Sequence, residues 1–116
     1  MTKIDAAWLD AFDNDIETLL EVRRLFDFLP LHANDKPPVV EVNDQIDRLE
    51  PSLDTIIPPS ANQPYDMHEV IRKTVDEGEF FEVQPGHAGN ILIGFGRVEG
   101  RTVGIVANQP MVLAGV

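Results

Sequence analysis

The side chains able to do chemistry are few and scattered. There are three histidines, His32, His68 and His87, and two serines, Ser52 and Ser60, with no cysteine at all. The missing thiols exclude disulfides, thiolate zinc sites, iron–sulfur clusters and cysteine nucleophiles. Each histidine stands without a second metal ligand at helical spacing, which reads as surface imidazole rather than metal ligand or general base. His68 falls in the first turn of a predicted helix, beside Glu69. Both serines lie in a proline-rich stretch, away from any strand-to-helix elbow that would expose a nucleophile. Carboxylates are plentiful but form no defined pair; Asp10, Asp13, Asp15 and Glu17 read as a solvated face and as charge complementing a helix N-terminus. Gly94, Gly96 and Gly100 do not make a dinucleotide fingerprint, because the spacing is wrong and a strand follows instead of a helix. No residue is assigned a catalytic or metal-ligating role on these grounds.

The elements that would position such groups are clearer than the groups. Residues 91–110 read ILIGFGRVEGRTVGIVANQP, two strand-like runs around Glu99 and Gly100, a strong hairpin signal. Counting from that turn pairs Val98 with Arg101, Gly96 with Val103, Phe95 with Gly104 and Gly94 with Ile105, so that each glycine faces a large residue. Ile91, Ile93, Phe95 and Val106 share one face; Leu92, Val98, Val103 and Ile105 share the other. Both faces are apolar and each needs a cover, more than a hairpin with one short helix supplies. Arg97 and Arg101 flank the tip, placed to be solvated there or to pair with acids of a neighbouring subunit. Asn108 ends the second run and Pro110 stops its pairing.

Two helices precede the hairpin. Residues 15–29 form the first, capped by Asn14 with Glu17 at capping-box spacing, and Ile16, Leu19, Leu20, Val22, Phe26 and Leu29 make its apolar face. Trp8, Leu9 and Phe12 suggest a short helical turn upstream. Residues 67–77 form the second helix. Asp66 is its N-cap, Glu69 completes the box, Tyr65 and Val70 staple it, and Gly78 is its C-cap. Between the helices, residues 30–64 hold seven of the nine prolines, too many for a long helix or a central strand. A stretch this long reads as a connector with short turns, one of them near residues 44–49.

The net charge of −11 argues against nucleic acid or an anionic membrane as a partner. Residues 1–60 carry 13 acidic and 5 basic side chains, so the first half is the solvated part and the second half the core-former. No apolar run approaches the ~20 residues that cross a bilayer, and the N-terminus lacks the features of a secretory signal. A soluble, cytoplasmic protein is expected.

The blocks DEGEFFEVQPGHAGNILIGFGRVEGRTVGIVANQPMVLAGV, LDTIIP and PYDMHEVI, with EVRRLFDFLP and DRLEPSLDTIIP upstream, strongly resemble the carboxyltransferase (beta) subunits of biotin-dependent acyl-CoA carboxylases, with the propionyl-CoA carboxylases as the nearest branch. The likeness runs from about Asp15 to Val116. Family chains are several times longer and contain two crotonase-like domains, each a spiral of ββα units. The resemblance therefore implies an α/β fold: a partial crotonase-like domain with a preceding helix and a proline-rich connector. Residues 1–30 would end the first domain, 31–64 connect, and 65–116 open the second. It implies carboxyl transfer from carboxybiotin to the α-carbon of an acyl-CoA in the complete subunit, with biotin carried by a partner alpha subunit and with self-assembly into a homo-oligomer. Glycine-rich turns supplying the oxyanion donors would lie outside these residues, so the piece alone should be inactive. By the same resemblance, Asn108, Gln109 and Pro110 are candidates to line the biotin or acyl-CoA pocket. Two alternatives stand beside this reading: the carboxyltransferase subunit of a biotin-dependent decarboxylase, and a stand-alone acidic module that binds a protein through its uncovered β surface.

Overall fold

The computed structural model describes residues 4–6, 10–86 and 88–112. Trp8, Leu9 and His87 lie outside the described residues, as does the end of the apolar C-terminal run. The element order is β1 (Ile4–Ala6), β2 (Asp10–Phe12), α1 (Asp15–Phe26), α2 (Leu53–Ile56), α3 (Met67–Thr74), a 3-10 turn (Asp76–Gly78), β3 (Phe81–Glu82), β4 (Ile91–Val98) and β5 (Arg101–Asn108). β1 and β2 form a small antiparallel pair, with Ile4 opposite Phe12. The helical turn expected around Phe12 is thus an extended strand. β3, β4 and β5 form a three-stranded antiparallel sheet in that order.

The hairpin register is the one the turn demands: Val98 pairs with Arg101, Gly96 with Val103, Phe95 with Gly104 and Gly94 with Ile105. Glu99 and Gly100 take positive φ, 54° and 76°, as a two-residue turn matched to strand twist requires. The strand glycines, however, do not serve their cross-strand partners. A β-carbon on Gly94 would strike the backbone oxygen of Phe81, and one on Gly96 would come within 2.7 Å of Val75 Cγ1, whereas one on Gly104 would meet nothing. Glycine here admits the β3 backbone and the end of α3.

Helix α1 begins where its cap residues place it. Asn14 Oδ1 accepts the Glu17 N–H at 2.8 Å, and the Glu17 carboxylate reaches back to accept the Asp13 N–H. Asn14→Ala should cost about 1 kcal/mol in a thermal or urea melt; no measurable loss would mean that α1 draws its order from packing alone. The helix ends three residues earlier than expected, with i→i−3 bonds from Phe28 to Leu25 and from Leu29 to Phe26 tightening its last turn. Its buried side also differs from the expected one. Leu25 and Phe28 are buried, whereas Ile16 is 72% exposed, with Leu19, Leu20 and Phe26 close behind. A helix whose apolar residues are spread around its axis offers no unique face. Here the decisive contacts are Phe81 and Phe95, whose rings lie 6.0 and 6.2 Å from that of Phe28.

Helix α3 stops at Thr74 instead of residue 77. Val75 turns extended as its C-cap, and Glu77 and Gly78 both take positive φ. The break lets Val75 drop onto the hairpin face beneath it, while the Asp76 carboxylate accepts the N–H groups of Glu99 and Gly100 at the tip.

Two clusters result. Leu25, Phe28 and Phe81, with Val22, Leu29, Val83 and Phe95, cover one face of the hairpin. Ile71, Val75 and Leu92, with Met67, Phe80, Ile105 and Ala107, cover the other. The second cover, expected to be missing, comes from the end of α1. It is partial: Val106 remains 78% exposed, beside an apolar hollow of about 540 Å³ that is also lined by Leu25, Leu29, Ile93 and Phe95.

Residues 31–64 contain short turns and the four-residue helix α2, which the prolines did not announce. A turn closes at Arg48, whose N–H reaches the Gln45 carbonyl. The stretch is tied down by polar bonds. Val40 donates to the Gly100 carbonyl, Asn43 N–H to Glu77, and Lys73 Nζ to Ser52 Oγ at 2.5 Å. Arg48 bonds to Asp44 and Glu50 and donates to the Lys73 carbonyl. Hydrogen bonds from the Glu77 N–H and Arg48 hold the Asp44 carboxyl below its ordinary value, and the Asp44 carboxylate in turn raises Arg48.

Candidate functional site

The residues singled out at the end of β5 part company in the structure. Asn108 is exposed and makes no side-chain hydrogen bond among the described residues. Gln109, the next residue, turns inward and is only 5% exposed; Pro110 is half-buried. A buried amide is stable only when its hydrogen-bonding groups are satisfied, and those of Gln109 are. Its Oε1 accepts the Met67 N–H at 3.1 Å, and its Nε2 donates to Asp66 Oδ1 at 2.8 Å. Its own N–H goes to the Asn90 carbonyl, and its carbonyl accepts the Val112 N–H.

The N-terminus of α3 is thereby capped from two sides. Asp66 caps it as expected, its side chain accepting the His68 N–H at 3.0 Å and its carbonyl the Glu69 N–H. The Glu69 side chain does not close the box. The remaining first-turn donor, Met67 N–H, is taken instead by Gln109, 42 residues away.

His68 completes the cluster and is not a free surface imidazole. Nδ1 lies 2.8 Å from Asp66 Oδ1, and Nε2 lies 3.0 and 3.1 Å from the two oxygens of Glu82. Partial burial pushes the imidazole pKa down, but the hydrogen bonds and charges of Asp66 and Glu82 outweigh it and hold His68 above its ordinary value. Burial likewise pushes Asp66 up, and hydrogen bonds from Gln109 and His68 outweigh it to hold that carboxyl low. The cluster thus sets the His68 ring between two carboxylates, joining α3, β3 and the turn after β5. Asp66, read as the N-cap, was the legible part of it, whereas His68 read as a surface imidazole. Glu82 and Gln109 gave no local signal, because both arrive from other elements.

The two shifts act with opposite sign. The stability from His68 is fully present below its unfolded pKa of about 6.5 and is lost as pH rises through the raised folded value. That from Asp66 is present above its unfolded value and is lost as pH falls through the lowered one. The melting temperature of His68→Gln should therefore fall furthest below that of the parent in mildly acidic buffer, near about pH 6, and the gap should narrow in alkaline buffer. A gap constant across that range would show that the imidazole charge contributes nothing.

Among the described residues no group of three or more histidines and carboxylates could hold a metal ion, and no helix is long and apolar enough to cross a membrane. Arg97 corrects another expectation. It is 7% exposed instead of solvated at the tip, with Nη1 3.1 Å from Glu79, Nη2 donating to the Asp27 carbonyl at 3.0 Å, and its guanidinium 4.0 Å from the Phe28 ring centroid. Arg101 is exposed.

Residues 9–116 match the family model described as the carboxyl transferase domain. The chain is 62% identical over 105 residues to the propionyl-CoA carboxylase beta chain of Roseobacter denitrificans, covering 90% of this chain and 21% of that one. It is 44% identical over 105 residues to the methylmalonyl-CoA decarboxylase subunit alpha of Veillonella parvula, with 90% and 21% covered. Among solved structures it superposes on transcarboxylase 12S, described as a hexamer with methylmalonyl-coenzyme A bound. The TM-score is 0.78 at 40% identity, over 83% of this chain and 18% of that one. The chain thus spans about a fifth of the length of the proteins it matches. With the family model matched over nearly the whole chain and the sheet-and-helix arrangement shared with a solved carboxyltransferase, this chain belongs to the carboxyl transferase domain family.

Proposed function

We propose that this chain is a segment of the beta subunit of a biotin-dependent acyl-CoA carboxylase acting on propionyl-CoA. The observation that carries the reading is the 62% identity to a propionyl-CoA carboxylase beta chain across 105 residues. In this reading residues 1–30 close one crotonase-like domain, residues 31–64 form a proline-rich connector, and residues 65–116 open a second domain. The near absence of regular structure in residues 31–64 supports that division. Bound biotin, on the carrier of a partner alpha subunit, supplies the carboxyl group that moves to the acyl α-carbon. The subunit assembles as a homo-oligomer in the cytoplasm.

The residues present fit a bordering role toward these ligands. Asn108, exposed at the C-terminal end of β5, offers an amide donor and acceptor with no side-chain hydrogen bond among the described residues. Together with Pro110 it edges the biotin or acyl-CoA pocket, and Gln109 supports the turn from behind. The glycine-rich turns that stabilise developing negative charge belong to other parts of the subunit, so the 116 residues alone are inactive.

The decarboxylase relative, at 44% identity, supports a second reading with the same scaffold and the reverse direction of carboxyl flow. The test uses the complete subunit assembled with its biotinylated partner. ATP- and propionyl-CoA-dependent fixation of labelled bicarbonate into acid-stable product is expected. Release of CO₂ from methylmalonyl-CoA without any fixation would replace carboxylase by decarboxylase.

A further inference from the structure

We propose that Gln109 is a positioning residue: its buried amide fixes the turn after β5 to the start of α3, so that Asn108 meets the ligand in one orientation. This rests on the placement of Asn108 at the pocket edge given above. The geometry runs from the amide outward. Nε2 and Oε1 of Gln109 are held by Asp66 and Met67, its backbone N–H by Asn90, and its backbone carbonyl by Val112. Asp66 is held in turn by His68, and His68 by Glu82 on β3.

The turn is therefore tied to α3 and to the segment before β4, with β3 as the outer brace. Asn108 ends β5 opposite Ile91, and its exposed side chain has no hydrogen bond among the described residues. The ladder fixes its backbone on one side, and Gln109 fixes it on the other. Displacement of a ligand-facing group by about 1 Å costs up to about 100-fold in rate, so a residue that never touches the ligand can still govern its binding. Gln109 qualifies because its amide bonds to Asp66 and Met67 at the α3 start, while its Oε1 also accepts the Met111 N–H within the turn itself.

The test uses the complete subunit with its biotinylated partner and varies propionyl-CoA and the biotinylated carrier in turn. Asn108→Ala, Gln109→Met and the double variant are compared, with melting temperatures recorded for each. Gln109→Met keeps the volume and removes the hydrogen bonds. Expected is a rise of about tenfold or more in KM for the same one of the two substrates in both single variants, kcat changing less, and a double variant little worse than either single one. A purely structural role would instead lower kcat through loss of folded enzyme and leave KM unmoved.

If Asn108→Ala raises KM and Gln109→Met does not, or if the two effects simply multiply, the positioning role falls while Asn108 keeps its place at the pocket. If Asn108→Ala leaves both KM values unchanged, the placement of the turn falls and the positioning role with it. Should Gln109→Met fail to assemble, Glu82→Gln, which loosens His68 and leaves Gln109 in place, is judged by the same KM criterion.

Discussion

Phe28→Ala should destabilise the chain by about 3–5 kcal/mol, the range for truncating a buried phenylalanine. Phe28 has no exposed surface and is the hinge of three contacts. It stands against Phe81 and Phe95 and lies under the Arg97 guanidinium. Truncation opens a cavity between α1 and the sheet and removes the aromatic face beneath a buried cation, so the cost belongs near the upper end. A shift of the urea midpoint corresponding to the full range is expected; a loss under about 1 kcal/mol would mean that α1 does not dock on the hairpin in solution. Phe28→Leu, which keeps most of the volume, should recover the larger share of the loss.

Gly94→Ala should cost about 3 kcal/mol, the upper end for overpacking, because the added carbon would strike the backbone oxygen of Phe81. A side-chain obstacle can rotate away; a strand carbonyl paired in a sheet cannot. The two pairs joining β3 to β4, Phe81 with Phe95 and Glu82 with Gly94, would part. Since β3 carries Glu82, the brace on His68 would go with them. Gly104→Ala is the control. A β-carbon there meets nothing, so that variant should lie within about 0.5 kcal/mol of the parent. Equal losses in the two variants would show that strand entropy, not the close approach of β3, explains these glycines.

Both results turn on layers that only part of the sequence announces. The register of β4 with β5 was legible, because Glu99 and Gly100 fix the turn and the turn fixes every pair after it. The caps at Asn14 and Asp66 were legible as well, since a cap is written in neighbouring residues. The buried side of α1 was not. Ile16, Leu19, Leu20, Leu25 and Phe28 point in different directions around the axis, and the positions of Phe81 and Phe95 decide which of them is covered. Arg97 was misread because its charge suggested solvent, although it shares strand parity with Ile93 and Phe95, which face α1. The cluster around His68 was half-legible: Asp66 is local, whereas Glu82 and Gln109 are brought by sheet topology. The glycine pattern was visible and its reason was not, because alternation reports cross-strand partners and says nothing of what lies above a strand. The likeness to carboxyltransferase subunits, which rests on ordered blocks instead of single residues, is matched by the family model over residues 9–116.

The bond from Arg97 to the Asp27 carbonyl joins residues 70 apart in the chain. A loop of that length is entropically expensive to close, and a twelve-residue helix such as α1 has little stability in isolation. The hairpin, closed by a two-residue turn, needs no such wait. Acquisition of order should therefore be sequential, with β4 and β5 zipping early and α1 condensing onto them late. Amide protons of α1 would then exchange with deuterium through partial openings that leave the hairpin amides protected, so that the first helix loosens before the hairpin.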